Sequence, residues 1–219
     1  MKTQRGADYI YRLIRQGEHQ QQDFKFEISD VRKIAKSLSA FSNTDGGRLL
    51  VGVKDNGKIA GVRSEEEIYM IEAAAKLYCK PQIHCEMHIY EIEGLQVLEV
   101  VIPKGDCAPY YAKDDNQHYR AYIRIKDENI LASPVHLRLW QTQSAPKGVF
   151  IRYSAQEQSL LDYLNQNEKI SLSQCSKLIG IPRPRAISML AKFIRFGLIE
   201  SIYTEKSFFY RLCPQSSAI

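Results

Sequence analysis

The sequence predicts an α+β chain in two parts, a mixed α/β sheet domain over residues 1–142 and a smaller helical module with a hairpin over residues 149–215. Three observations predict it. Helical spacing at Val31, Ile34, Leu38 and Phe41 gives way to the strand-like run Leu49, Leu50, Val51 and Val53, and such switches recur through the first two thirds. Thr142 to Gly148, TQSAPKG, has the small, polar, breaker-rich composition of a domain boundary. Charge divides at the same place: residues 1–144 carry 20 Lys and Arg against 20 Asp and Glu, whereas residues 145–219 carry 10 against 5. The excess behind the net charge of +5 therefore lies in the last third, which points to an anionic partner there.

Taken in order, residues 8–16 form a short amphipathic helix with Ile10, Leu13 and Ile14 inward, ended by Gly17. Phe24 to Glu27 alternate as a half-buried strand, and Ser29 and Asp30 supply cap chemistry for the helix that follows. Asn43 to Gly47 stops that helix with residues that tolerate unusual backbone angles. Asn56-Gly57 is the pair favoured by a two-residue hairpin, with Ile59 to Val62 as the returning strand. Glu65 to Glu67 begins another helix, with Ile68, Ile71, Ala75 and Leu77 inward and Pro81 past its end. Strands at 83–92 and 95–102 are joined by Glu93-Gly94, the second apolar enough to be central in a sheet. In the strand Tyr119 to Ile125, Arg120, Tyr122 and Arg124 fall opposite the apolar face, and Pro134 to Gln141 reads as a closing helix packed back on the sheet.

Composition narrows the chemistry. No apolar run approaches the roughly 20 residues of a membrane span, and the N-terminus is too polar for a secretory signal, so a cytoplasmic protein without a membrane partner is expected. The five cysteines are scattered and odd in number, as for reduced structural thiols. A zinc set of Cys79, His84, Cys85 and His88 can be drawn, but the alternation of IHCEMHIY sends neighbours to opposite faces of a strand. There is no G-x-x-x-x-G-K-[ST], and Gly46-Gly47 precedes a strand rather than a helix, which disfavours an ATPase. No Gly-x-Ser-x-Gly is present either.

The C-terminal module reads as a helix over about 154–166 capped by Ser154, a second from Ser171 to Gly180, and a third over about 183–196 with Ile187, Leu190, Ala191 and Ile194 buried. Two short strands, SIYTE and FFYRL, close it around Lys206 and Ser207. Three helices and a hairpin follow the order of a winged helix-turn-helix, and residues 150–213 resemble that DNA-binding superfamily. The resemblance makes the third helix the recognition element. Arg185, Ser188, Lys192 and Arg195 recur on the face opposite the apolar stripe, Arg183 stands at the helix start and Lys206 on the wing, all suited to phosphates and a groove.

The first domain resembles the Schlafen-type Alba-like DNA-binding domain family, once labelled a divergent AAA ATPase group. The resemblance covers about residues 8–140. It is carried by DFKFE at Asp23 to Glu27, SAFSNTDGG at Ser39 to Gly47, LLVGVKDNGKIAGV at Leu49 to Val62, Pro109-Tyr110, and YIRI at Tyr122 to Ile125. RNA-cleaving members of that family imply an acidic metal site at Glu18, Asp23 and Asp55, where Mg2+ or Mn2+ would activate water; Asp23 stands here in place of the usual glutamate. The family name also implies a nucleic-acid surface, for which Lys25, Arg48, Lys54, Arg120, Tyr122 and Arg124 are the candidates, against the simpler reading of a solvated strand face.

The expectation is a DNA-binding transcriptional regulator, a homodimer with no cofactor, RNA being the second nucleic-acid candidate. Its rivals are a metal-dependent nuclease using Glu18, Asp23 and Asp55, and a ligand-sensing or protein-interaction module. An enzymatic role is the lesser expectation.

Overall fold

A computed structural model describes residues 2–142 and 153–214; the expected linker at 143–148, residues 149–152 and residue 215 lie outside the described residues. The fold is mixed α+β, and the chain divides into two units, Met1–Ala132 and Ser133–Ile219.

The first unit runs α1 (Lys2–Gln16), β1 (Gln22–Lys25), α2 (Val31–Ser42), β2 (Gly47–Val51), α3 (Glu66–Ala73), β3 (Cys79–Lys80), β4 (Glu86–Ile92), β5 (Leu95–Ile102), β6 (Tyr111–Lys113), β7 (Tyr119–Ile125) and β8 (Glu128–Leu131). One sheet has the order β1-β2-β5-β4, with β1 and β2 parallel and the other pairs antiparallel. A second, antiparallel sheet has the order β3-β6-β7-β8. Alternation along β2 explains its apolar run. Leu49 and Val51 join the cluster of α2 residues Ile34, Ala35, Leu38 and Phe41, whereas Leu50 joins Ile10 and Leu13 of α1. The strand is buried on both faces, as a central strand requires.

Under α1 the sheet carries a buried carboxylate. Glu99 of β5 lies 3.2 Å from Arg48 of β2, accepts from Tyr9 at 2.8 Å and from Tyr90 at 3.2 Å, and so ties helix and strands together. Its charge is compensated by the guanidinium and by hydroxyl donors.

Local chemistry accounts for most element ends. Asp30 caps α2, accepting from the Arg32 amide. Glu93 and Gly94 both adopt positive φ in the β4–β5 turn, the geometry of a two-residue hairpin. Gly46, at φ 68, could not carry a side chain, because a Cβ would meet the Lys104 nitrogen at 2.7 Å.

Three expectations for this unit need correction. Val53 and Ile59 meet in an isolated bridge rather than a returning strand, because Gly57 alone of the Asn56-Gly57 pair takes positive φ and the turn closes from Gly57 to Lys54. After α3 the chain widens into a π-helical turn, Ala74–Tyr78, which rotates the expected inward Leu77 out to 69% exposure. Residues 107–118, expected as loop, contain β6, and β8 follows where no strand was expected.

The second unit runs α4 (Pro134–Gln141), α5 (Ala155–Gln166), β9 (Ile170–Ser171), α6 (Leu172–Ile179), α7 (Arg183–Arg195), β10 (Ile199–Thr204) and β11 (Ser207–Leu212), with a three-stranded antiparallel sheet in the order β10-β11-β9. Ser154 and Ser171 each form a reciprocal capping box, with Glu157 and Gln174, and Gly180 ends α6 in the left-handed region. Leu160, Leu164, Cys175, Leu190, Phe193 and Tyr210 share one core.

Val135 and Leu139 of α4 belong to that same core. The closing helix therefore packs on α7, and the buried stripe of α7 differs from the expected one. Ala186, Met189, Leu190, Ala191 and Phe193 are buried in α7, while Ile187 and Ile194 are only half-buried. No helix among the described residues is long and apolar enough to cross a membrane.

Candidate nucleic-acid interface

In the second unit the basic residues expected on α7 fall into two groups. Gly180, Ile181 and Pro182 turn the chain from α6 into α7, and Pro184 suits the first turn, where no intrahelical donor is required. Arg183 and Arg185 stand exposed at this end, Arg183 donating to Ser173 Oγ at 3.2 Å. Ser188, Lys192 and Arg195 are half-buried and line a shallow cleft with Arg138 and Thr142 at the end of α4. Lys192 donates to Glu157 at 2.8 Å. Burial would raise the Glu157 carboxyl, but the hydrogen bonds from Lys192 and the Ser154 amide hold it below its ordinary value. Lys192 is thus neutralised within the unit.

Lys206 is exposed at the tip of the β10–β11 turn, where both Glu205 and Lys206 take positive φ. Neighbouring Lys169 is already used. It lies 3.2 Å from Glu205 and 4.5 Å above the Phe209 ring.

In the first unit the expected basic surface is mostly engaged in structure. Lys25 lies 2.7 Å from Asp23, Arg48 is held by Glu99, and exposed Arg120 is 3.5 Å from Asp114. Lys54 stays exposed, 4.9 Å over the Phe26 ring.

Arg124 corrects the surface expectation outright, being only 2% exposed. Its guanidinium packs 5.0 Å over Phe41, donates to Asn129 Oδ1 at 3.0 Å and the Gln22 carbonyl at 3.2 Å, and lies 3.5 Å from Asp23. Alternation along β7 does turn Arg124 away from Ala121 and Ile123, but α2 and β1 cover that side. The arginine clamps β7 to β1 instead of facing solvent.

The acidic residues are only partly brought together. A side-chain hydrogen bond joins Glu18 and Asp23, and Glu18 accepts from the Phe24 amide at 2.9 Å. Burial and the Asp23 contact push Glu18 up to about 6. For Asp23 burial acts upward too, but the bond with Glu18 and the charges of Lys25 and Arg124 leave its carboxyl below the ordinary value. Asp55 is exposed in the turn after Val53 and does not join them. Among the described residues no group of three or more His, Cys, Asp or Glu side chains could hold a metal ion. The donor set does not fit the divalent ion that the nuclease reading needs, since protein cations already flank Asp23 where the ion's charge would sit.

Over residues 18–133 the sequence matches the Schlafen, AlbA_2 family. The chain belongs to that family. Membership ties it to nucleic-acid-related function. Among solved structures, the DIP2311 protein from Corynebacterium diphtheriae is similar at 18% identity and a TM-score of 0.44, over 67% of this chain and 29% of that one. The N-terminal domain of a helicase RecG-related protein from Nitrosomonas europaea is similar at 19% identity and a TM-score of 0.43, over 68% of this chain and 95% of that one. The chain thus spans less than a third of DIP2311 and nearly all of the second structure.

Inside the Schlafen AlbA_2 domain the stretch Ser39 to Gly47 does more than stop a helix. Asn43 donates to the carbonyls of Tyr110 at 2.7 Å and Tyr122 at 2.9 Å and accepts from the Tyr110 amide at 2.7 Å. Ser39 accepts from the Tyr122 amide, and Thr44 accepts from the Arg124 amide at 2.9 Å. Beyond Ala121, where β6 no longer pairs with β7, these side chains replace the missing strand. The sequence signal was Ser39 and Asn43 four residues apart at the end of an amphipathic helix, with Thr44 just beyond it.

Proposed function

We propose that this Schlafen AlbA_2 family protein is a cytoplasmic DNA-binding transcriptional regulator, with a winged helix-turn-helix over residues 149–215 as its DNA-contacting domain. The observation that carries the reading is the pair of exposed arginines at the start of α7, Arg183 and Arg185, together with exposed Lys206 at the hairpin tip. The start of a recognition helix is the part that meets base edges in a major groove, and a wing lysine is suited to the adjacent backbone. The reading moves the contact from the flank of α7, where Lys192 is held by Glu157, to its first turn. A homodimer on paired half-sites would supply the affinity that one small module lacks.

The test is a fluorescence anisotropy titration of the full-length protein on duplex DNA at several salt concentrations. Arg183→Ala with Arg185→Ala should weaken binding by about tenfold or more and flatten the salt dependence by about 2 in slope, one phosphate neutralised per arginine. Unchanged affinity overturns the assignment. A protein with no nucleic-acid affinity even at low salt belongs instead to the ligand-sensing or protein-interaction class.

A further inference from the structure

A cleft of about 250 Å3 opens between the first turns of α2 and the β6–β7 hairpin, in the first unit. Arg32, Lys33 and Lys36 reach it from the helix and Lys113 from β6. Its cations differ from an ordinary solvated patch in how they are held. Lys36 Nζ lies 5.0 Å over the Tyr122 ring, and the Arg32 guanidinium lies 5.7 Å over Tyr78. A cation resting on an aromatic face is already ordered, so less rotamer freedom is lost when an anion arrives.

Of the carboxylates around the cleft, Asp30 and Asp114 are engaged elsewhere and Asp115 makes one long, solvent-exposed ion pair with Arg32. Asp30 accepts the Arg32 amide at 2.9 Å as the α2 cap, and Asp114 accepts the His118 amide at 2.8 Å while lying 3.5 Å from Arg120. Asp115 is 3.8 Å from Arg32 Nε, beyond hydrogen-bond reach, with its side chain 87% exposed. Among the described residues, Lys33, Lys36 and Lys113 have no ion pair. Arg32 Nε, moreover, is a buried donor with no hydrogen-bond partner. A buried guanidinium N–H left unpaired is costly, and an anionic acceptor in the cleft would satisfy it.

We infer that this cleft binds the phosphodiester backbone of a single-stranded nucleic acid. Arg32, Lys33, Lys36 and Lys113 take the phosphate, and Tyr122 is the platform that holds Lys36 in place. Cations converging on one groove suit the backbone of a single strand, and a cleft of about 250 Å3 has room for one backbone rather than a duplex. The inference rests on the nucleic-acid-related function of the family, not on the contact proposed for α7.

The experiment titrates the full-length protein with a labelled single-stranded oligonucleotide and, in parallel, with duplex DNA. Lys33→Ala, Lys36→Ala and Lys113→Ala combined should weaken single-strand binding by about tenfold or more and lower its salt slope by about 2, at roughly 0.7 for each phosphate no longer neutralised. Lys58→Ala, Lys80→Ala and Lys126→Ala combined, an equal charge change at exposed sites outside the cleft, should stay within about twofold of the parent. Tyr122→Phe keeps the platform and should match the parent, while Tyr122→Leu should bind several-fold more weakly. Inorganic phosphate that competes as well as the oligonucleotide would identify a small-anion site and overturn the single-strand assignment. Equal weakening by both lysine triples, undiminished binding by the cleft triple, or no single-strand binding by the parent would each overturn it as well. Duplex binding and its response to Arg183→Ala with Arg185→Ala report separately on the C-terminal contact.

Discussion

Nη2 of Arg124 lies 3.5 Å from Oδ1 of Asp23, with the two side chains 1% and 6% exposed. An ion pair this far from water persists because most of its other groups are also engaged: Asn129 and the Gln22 carbonyl accept from the guanidinium and Lys25 supports the carboxylate, which leaves Arg124 Nε as a buried donor without an acceptor. Removing one partner strands the other. Arg124→Met should therefore destabilise the first unit by about 3–5 kcal/mol, read as a lower urea midpoint. Arg124→Lys should recover little, because an ammonium cannot reproduce the planar fork. A loss within about 0.5 kcal/mol would mean that the pair contributes nothing net.

Asn43 makes a comparable prediction for the second sheet. Its amide serves two carbonyls and one amide of the Tyr110 and Tyr122 backbone, so Asn43→Ala leaves buried groups unpaired rather than merely removing an interaction. The expected cost is about 2–3 kcal/mol, with hydrogen exchange accelerated at the Tyr110 amide and along β7. Exchange unchanged there, with stability lost elsewhere, would contradict the role of Asn43 as a substitute strand partner.

These two residues mark what sequence pattern can and cannot carry. Caps and turns were legible because their chemistry is local: Asp30, Ser154, Ser171, Gly180 and the Glu93-Gly94 turn act within a few residues of themselves. Arg124 and Asn43 act across 101 and 67 to 79 positions of sequence respectively, and an alternating strand pattern assigns a residue to a face without saying what covers that face. The same limit hid the partner of α4 and left the flank of α7 looking open. The acidic triad was legible as residue types, but Asp55 belongs to a turn whose local geometry keeps it in solvent.

The Glu18 and Asp23 pair predicts a pH dependence whose sign follows from the direction of each shift. Glu18 titrates near 6 in the folded protein against an ordinary value of 4.5, so the native state binds its proton more tightly than the unfolded chain does. Its contribution to stability is present below about pH 4.5 and is lost as pH rises through about 6. Asp23, lowered, acts oppositely and loses its contribution only in stronger acid. Glu18→Gln can still donate to Asp23 and accept from Phe24, and it removes the titration. The gain of the variant over the parent in urea midpoint should grow between about pH 4.5 and 6 and level off above that. A constant difference across that range would show that Glu18 is not the group responsible.

The membership of α4 in the second unit leads to the last prediction. Val135 is fully buried among α7 and its neighbours, and His136 packs at 4.9 Å against the Phe208 ring of β11. Val135→Ala removes two methyl groups from a site that the core cannot fully close around, a loss of about 2 kcal/mol. Hydrogen exchange should then accelerate in α7 and β11 while β2 and β5, which lie in the first unit, keep their protection. Protection lost instead in β2 and β5 would return α4 to the sheet on which its sequence pattern places it, and would reopen the flank of α7 carrying Ser188, Lys192 and Arg195.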